Sequence, residues 1–196
     1  MTETEAAAAQ GYGTVLLERA ICYALGALSP VTPRALERPT PCAGWDLWTL
    51  LRHADESIAA LYEAIDQGSV GPEPAPPSGP DPVAAFRSSA GRLLGAWTAA
   101  GERERVVTVA GCPIRAGVVA GVGAIEIAVH GWDAARACGN DAPMPEALAV
   151  RLLRLAPMIV PSDARADLFD PPVPVPASAP AGDRLLAFLG RQPDGA

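Results

Sequence analysis

Apolar residues recur at helical spacing along six segments of this chain, and these segments predict its architecture. Within each segment the apolar side chains return every three or four residues, which is the period of one helix face. The segments run over residues 4–28, 46–66, 81–101, 116–139, 144–158 and 183–189. The pattern therefore predicts an all-α protein built on four long helices, followed by two shorter ones.

Residues with known preferences for helix ends support these boundaries. Asp46 follows the turn sequence TPCAG at residues 40–44 and is suited to cap the second helix. Asp81 followed by Pro82 is a typical start for the third helix. Pro161 is expected to mark the end of the fifth helix.

Three segments break the helical pattern. Residues 68–80 are rich in Pro and Gly, which predicts an exposed and mobile connection. Residues 105–114 carry several valines before a Gly-Cys-Pro sequence, which predicts an extended arm or short hairpin between the third and fourth helices. A proline-rich C-terminal tail is expected at residues 170–196. No pattern in the sequence supports a large sheet.

The fourth helix, residues 116–139, is unusually apolar and rich in glycine. Its predicted core stripe consists of Val118, Val122, Ile125, Val129 and Trp132. Glycines at positions 117, 121 and 123 lower the stability of a helix, so each needs a compensating reason. Close packing of a neighbouring helix is one explanation, and room for a ligand beside the following carboxylate is the other.

Composition limits the class of protein. A length of 196 residues with 49% hydrophobic residues is enough for one well-buried domain, expected to span 1–196. The net charge of -7 argues against a nucleic-acid or membrane-surface partner and favours a small molecule or a protein. The acidic N-terminus does not resemble a secretory signal, and the four scattered cysteines suit reduced thiols, so a cytoplasmic protein is expected. All fifteen basic residues are Arg, which is typical of a genome rich in G and C, such as that of an actinobacterium.

Two residues of the fourth helix suggest chemistry. Glu126 and His130 are four residues apart, so their side chains project from the same helix face. A carboxylate and an imidazole at this spacing can hold one divalent metal ion, although the same pair is common as an ordinary surface pair. His53, the other histidine, lies beside the apolar stripe of the second helix. Packing of these two helices is expected to bring His53, Glu126 and His130 together as three ligands.

Two stretches of the chain resemble a known family. The strings TPCAGWDLWTLLRH, residues 40–53, and IEIAVHGWDAARACG, residues 125–139, resemble the signature regions of the mycothiol-dependent maleylpyruvate isomerase N-terminal domain family. The C-terminal string FDPPVPVPASAPAGDRLLAFLGRQP, residues 169–193, resembles the tail of short actinobacterial members. That family belongs to the DinB-like superfamily, so the resemblance implies a metal-binding four-helix bundle.

The resemblance also implies a metal site and a cofactor. In the family, the histidine ending the first signature and the E-x3-H of the second bind zinc, and they match His53, Glu126 and His130. Zinc is therefore the expected ion, with nickel or iron as other candidates, and mycothiol is the expected thiol cosubstrate. The isomerase resembles a two-domain protein, and 196 residues leave no room for its second domain. Maleylpyruvate isomerisation is consequently not the expected activity.

Several neighbours of the three ligands are further candidates for a role in the site. Asp133 shares their helix face and either orients an imidazole, acts as a base, or pairs with Arg136. Glu56 is a candidate for supporting His53, but a solvated carboxylate is the simpler expectation. Trp45, Trp48 and Trp132 either wall a pocket or belong to the core. Arg52 and Arg115 either bind an acidic substrate or are solvated. Cys42, in the turn before the second helix, is expected to be a packing residue.

Two hypotheses of function follow. The first is a metal-dependent enzyme that transfers a small thiol to an electrophilic substrate or isomerises that substrate through a thiol adduct. The alternative is a non-catalytic helical bundle that serves as a binding or regulatory module. Fewer than four protein ligands and solvent access to the ion favour the enzyme, whereas a closed shell of four ligands favours the module. The sequence leaves a homodimer open under either hypothesis.

Overall fold

A computed structural model describes residues 3–72, 79–101, 105–160, 165 and 169–193, and its side chains are described from residue 13 onward. The described residues are mostly helical and include a small three-stranded sheet. The helices are α1 (Glu3–Ala27), α2 (Leu47–Gln67), α3 (Pro82–Ala100), α4 (Ala116–Ala137), α5 (Glu146–Ile159) and α6 (Ala181–Phe188). The strands are β1 (Ser69–Val70), β2 (Val106–Val109) and β3 (Cys112–Arg115). Each predicted helix is confirmed, with boundaries within a few residues of those expected.

Some expectations fall on residues outside the described part of the chain. These are residues 73–78 of the connection after α2, Pro161 after α5, and residues 194–196 of the tail.

The four long helices pack in pairs around one hydrophobic core. α1 lies along α4, while α2 contacts both α3 and α4. The predicted stripe of α2 is buried along its whole length, from Leu47 to Ile65. Burial of these aliphatic side chains is the main favourable term in folding, and it fixes which face of α2 points toward α4. His53 lies at the edge of that face.

Both predicted helix caps are formed. An Asp46 carboxylate oxygen accepts the backbone N–H of Thr49 at 2.8 Å at the start of α2. The same atom of Asp81 accepts the N–H groups of Val83 and Ala84 at the start of α3. Each carboxylate satisfies backbone donors that have no partner within the first turn of a helix.

The predicted arm between α3 and α4 is a hairpin, and it recruits a third strand. β2 and β3 are antiparallel, and the turn between them places Ala110 and Gly111 at φ values of 49° and 79°. β1 pairs in parallel with β2, with Val70 opposite Val109. Two residues of strand carry no periodic signal, so β1 was not predicted. The sheet fixes the hairpin against the end of α2, and Val109 of β2 lines a cavity that Glu126 also borders.

The apolar stripe predicted for α4 is wrong in its first half. Ile125, Val129 and Trp132 are buried as expected, but Val118 and Val122 are 48% and 42% exposed. The helix is apolar around its whole circumference, so the sequence pattern does not define a single buried face. By length and composition α4 is apolar enough to cross a membrane, but 78% of its apolar window is buried within the described structure. That burial is typical of a core helix in a soluble fold.

The glycines of α4 mark close packing. A Cβ added at Gly121 would lie 2.7 Å from a Leu155 methyl group, and one added at Gly123 would lie 2.4 Å from a Leu61 methyl group. α1 and α4 approach even more closely, since a Cβ on Gly13 would lie 2.3 Å from the Gly117 carbonyl oxygen. The geometry therefore supports close packing at Gly117 and Gly121, whereas Gly123 both packs against Leu61 and lines a cavity beside Glu126.

Candidate metal centre

Two neighbouring helices bring the three predicted ligands together. His53 projects from α2, and Glu126 and His130 project from adjacent turns of α4. The Nε2 atoms of His53 and His130 lie 2.7 Å and 3.2 Å from the same oxygen, Glu126 Oε1. All three potential ligand atoms lie within 4.8 Å of one another. The sequence-based grouping of these residues therefore corresponds to one compact cluster.

The donor set fits a divalent ion of the zinc type. Zinc bonds of about 2.0–2.1 Å in tetrahedral geometry place pairs of ligand atoms about 3.3 Å apart. The separation of 3.2 Å between His130 Nε2 and Glu126 Oε1 is close to that value, and the separation of 2.7 Å between His53 Nε2 and Glu126 Oε1 is about 0.6 Å shorter. Imidazole nitrogens and a carboxylate oxygen are ligands of zinc, nickel and iron alike, so the donor set does not select among them. Within the described residues the cluster has three members, and the side chains of His53 and Glu126 are 39% and 30% exposed.

A buried ion pair supports the imidazole of His130. Asp133 Oδ2 lies 3.1 Å from His130 Nδ1, and Asp133 is completely buried. Arg191, from the segment after α6, donates from Nη2 to the same oxygen at 3.0 Å and from Nε to Oδ1 at 3.4 Å. A carboxylate that accepts the Nδ1–H of a histidine fixes the tautomer in which Nε2 is free to bind a metal.

The electrostatics of the cluster couple Glu126 to both histidines. Burial alone would raise the pKa of Glu126, but its hydrogen bonds to His130 and His53 hold that pKa well below its usual range. Burial alone would lower the pKa of His130, but hydrogen bonds to Asp133 and Glu126 raise it to about 9. Without a metal, the cluster therefore holds an ionised carboxylate against a protonated His130.

Trp45, from the turn that precedes α2, packs on both imidazoles. Its ring centroid lies 4.8 Å from that of His53, edge to face, and 6.1 Å from that of His130, stacked. The two imidazoles lie 5.2 Å apart, centroid to centroid, and are perpendicular. A rigid aromatic wall of this kind limits the orientations of the rings it contacts. Of the two readings for Trp45, the structure supports the pocket wall.

The three predicted ligands border a cavity of about 500 Å³, here called the metal cavity. Cys42 and Trp45 line it from the turn before α2, and Phe169 and Arg191 line it from the C-terminal part of the chain. Burial raises the pKa of the Cys42 thiol, which disfavours the thiolate, so the expectation of a packing role is consistent with its surroundings.

Other sequence candidates lie outside this cavity or have other partners. Glu56 pairs with Arg52 at 3.7 Å, and the Arg52 guanidinium lies over the ring of Trp48, which is 43% exposed. Trp132 belongs to the core. Arg136 pairs with Asp141 at 2.6 Å and not with Asp133.

Arg191 is a residue of this site that sequence reasoning did not identify, as is Ser57, whose hydroxyl donates to Glu126 Oε1. Arg191 is 58 residues from Asp133 along the chain and follows a proline-rich segment that has no periodic pattern. A buried acidic residue on an apolar helix face requires a cationic partner, and that requirement was the available signal. The signal indicates that a partner exists, but it does not say which of fifteen arginines supplies it.

The fold and the His-Glu-His cluster together define a helical protein with a candidate metal centre, and comparison with known proteins gives its family. The chain belongs to the mycothiol maleylpyruvate isomerase N-terminal domain family, whose model matches residues 17–135. That range includes His53, Glu126, His130 and Asp133 but ends before Arg191.

Similar proteins occur in mycobacteria. Two proteins named as uncharacterized, from the CDC 1551 / Oshkosh and ATCC 25618 / H37Rv strains of Mycobacterium tuberculosis, are each 29% identical over 167 residues. The similar region covers 84% of this chain and 89% of either relative. No solved structure matches the chain.

Proposed function

We propose that this protein is a divalent-metal-dependent enzyme that activates a low-molecular-weight thiol, mycothiol, for reaction with a small electrophilic substrate. His53, Glu126 and His130 would hold the metal, zinc by preference, in a DinB-like four-helix bundle formed by α1 to α4. The observation that carries the proposal is the convergence of these three ligand atoms within 4.8 Å at the wall of a 500 Å³ cavity. Membership of a mycothiol-related family supplies the thiol.

The number of ligands supports a catalytic site over a structural one. Structural zinc sites use four protein ligands, whereas catalytic sites use three and leave a position for water or substrate. The described cluster has three, and the exposure of His53 and Glu126 gives solvent-borne molecules a route to them. When bound, the metal would favour the thiolate form of the thiol, which is the nucleophilic form.

The residues around the ligands have separable roles in this proposal. Asp133 accepts the Nδ1–H of His130, so that His130 presents Nε2, and Arg191 holds Asp133 in that position. Asp133 has no exposed surface, which suits an orienting role and not that of a base toward substrate. In the reaction, the thiol loses its proton to solvent, and its sulfur forms a bond to the electrophilic carbon. The electron pair displaced from that carbon either departs with a leaving group or moves onto another atom of the substrate.

The setting of the enzyme is part of the proposal. We propose a single domain over residues 1–196 that works in the cytoplasm on small molecules, with no nucleic-acid or membrane partner, as a monomer or a homodimer. The net charge of -7 and the burial of α4 support this setting.

Elemental analysis and a thiol-consumption assay test the proposal. The purified protein should contain about one divalent ion per chain, and chelation should abolish mycothiol-dependent consumption of an electrophile such as monobromobimane. His53→Ala and Glu126→Gln should each lose the metal and the activity. Glu56→Gln, one turn from His53 but paired with Arg52, is the matched control and should retain both. Unchanged metal content and turnover in His53→Ala would overturn the enzyme hypothesis. Retained metal without thiol-dependent turnover would favour the non-catalytic module.

A further inference from the structure

A second cavity shares Glu126 with the metal cavity. It has a volume of about 260 Å³ and is here called the apolar cavity. Val70 of β1 and Val109 of β2 form one wall, and Val119 and Val122 of α4 form another. Glu126 and Val122 line both cavities, so the two spaces meet at a proposed metal ligand.

The lining of the apolar cavity disfavours anionic ligand groups. Seven of its nine lining residues are aliphatic or glycine. The two polar ones bond to each other, since Ser57 donates its hydroxyl to Glu126 Oε1 at 3.2 Å. None of the lining residues in the described part of the chain is an arginine, the sole basic side chain in this protein besides histidine. An anionic group placed there would lose hydration without gaining a basic partner from the described lining residues.

The size of the apolar cavity sets the class of occupant. An engineered protein cavity of about 150 Å³ takes up benzene, so 260 Å³ is sufficient for one aromatic ring with a small substituent or a short branched alkyl chain. The cavity is too small for a peptide helix or a bulky cofactor. Because it adjoins Glu126, a group bound there would hold a reactive carbon beside the metal cavity.

We infer that the apolar cavity binds the uncharged, apolar part of the electrophilic substrate, while the metal cavity receives the thiol. The inference rests on the proposed function for the identity of the occupant. The substrate class is then a small neutral electrophile with one aromatic ring or a compact alkyl group. Its reactive carbon lies at the boundary formed by Glu126 and Val122. The hairpin that contributes Val109 accordingly has a role in substrate selection as well as in folding.

Binding of a matched pair of probes tests the cavity independently of catalysis. Toluene and 4-methylbenzoate differ by one carboxylate, and their affinities for the full chain can be measured by calorimetric titration. Toluene should bind at least about tenfold more tightly, because the carboxylate has no partner in the apolar cavity. Val109→Trp should fill the cavity and weaken toluene binding about tenfold or more.

Val106→Trp is the matched control, since Val106 lies on the same strand, is 60% exposed and does not line the cavity. It should bind toluene as the unmodified protein does. Val70→Phe fills the same cavity from β1 and replaces Val109→Trp if that variant does not fold. Equal toluene affinity in all variants, or equal affinity for both probes, would overturn the inference. So would a dimer that dissociates on Val109→Trp, because the occupant would then be a second copy of the chain.

Turnover distinguishes failure of the inference from failure of the proposed function. Benzyl bromide and 4-(bromomethyl)benzoate are the reactive counterparts of the two probes. The thiolate sulfur forms a bond to the benzylic carbon, bromide leaves with the bonding electron pair, and the thiol proton passes to the buffer. The metal-loaded protein and Val106→Trp should prefer benzyl bromide about tenfold in kcat/KM, and Val109→Trp should lose that preference. Toluene binding as expected without turnover of either bromide would overturn the proposed function but support the apolar cavity as a binding site.

Discussion

Arg191 is joined to His130 through one buried carboxylate. Its guanidinium donates to Asp133 Oδ2 at 3.0 Å, and the same oxygen lies 3.1 Å from His130 Nδ1. The segment after α6 is therefore connected to the candidate metal centre indirectly: Arg191 bonds to Asp133, and Asp133 bonds to the proposed ligand His130. We therefore expect the C-terminal part of the chain to affect metal binding at the proposed site.

Loss of Arg191 should destabilise the protein and weaken metal binding. Arg191→Leu removes one of the two cationic groups that face the buried Asp133 and leaves it only His130, and removing one partner of a buried ion pair costs about 3 kcal/mol. Denaturant unfolding of the metal-free protein should show that loss. Arg184→Leu is the control, because Arg184 is exposed in the same part of the chain and should change little. Restored stability in the double variant Arg191→Leu/Asp133→Asn would confirm that the cost comes from an unpaired charge. A loss that persists in the double variant would contradict that explanation.

Asp133→Asn should reduce metal affinity without removing a ligand. An amide is a weaker acceptor for the imidazole Nδ1–H, and loss of such a supporting group costs about 10–100-fold in metal affinity. Competition with a chromophoric chelator would measure the change. His130→Ala, which removes the ligand itself, should cause a larger loss. Equal losses in the two variants would mean that Asp133 is itself a ligand or that the site collapses without it.

The metal-free protein should lose stability as pH rises through the range in which His130 titrates. The pKa of His130 is raised in the folded state to about 9, from an ordinary value near 6.5. The folded state then binds the proton more tightly than the unfolded state, so the stabilisation is complete below about pH 6.5 and is lost as pH rises toward about 9.

Metal binding should reverse this dependence. A histidine must be neutral to bind a metal, so affinity for zinc should increase over the same range, with release of a proton on binding. Parallel unfolding curves of chelated and zinc-loaded protein at pH 6, 7.5 and 9 would measure both slopes. His130→Gln provides the control, because the pH dependence of the metal-free protein should become flatter. An unchanged slope in that variant would assign the titration to another group.

A methyl group at Gly13 should disrupt the contact between α1 and α4. The added Cβ would meet the Gly117 carbonyl at 2.3 Å, and a backbone oxygen has no rotamer by which to move away. Gly13→Ala should therefore lower the free energy of unfolding by about 1–3 kcal/mol, as is typical of overpacking. Gly26→Ala, on the same helix with no atom within 4 Å of the added Cβ, should be neutral or stabilising by up to about 1 kcal/mol. Thermal and denaturant unfolding of the two variants make the comparison, and equal effects would contradict it.

The sequence predicted the features that depend on residues close together in the chain. Glu126 and His130 share a helix face because they are four residues apart in a helix. His53 lies beside a clear apolar stripe of α2, which places it near the helix that packs on that stripe. Both caps, at Asp46 and Asp81, were predicted for the same reason. These features depend on residues a few positions apart, and for them a single sequence contains the necessary information.

Apart from the grouping of His53 with Glu126 and His130, the features that depend on distant contacts were not predicted. Arg191 reaches Asp133 across 58 residues, and the two-residue strand at Ser69 exists because β2 is available to pair with it. The exposed Val118 and Val122 show a third limit, since an all-apolar helix does not reveal which side lacks a neighbour. In each case the deciding interaction is with a part of the chain that no local pattern identifies.

Glu126 borders both cavities, and this shared carboxylate has a thermodynamic consequence. A molecule that enters either space contacts a group that the other space also contacts, so the two occupancies are linked. Linkage is reciprocal: if the thiol changes the affinity for the electrophile by some factor, the electrophile changes the affinity for the thiol by the same factor. We therefore expect synergy or antagonism between the two substrates, in place of two independent binding constants.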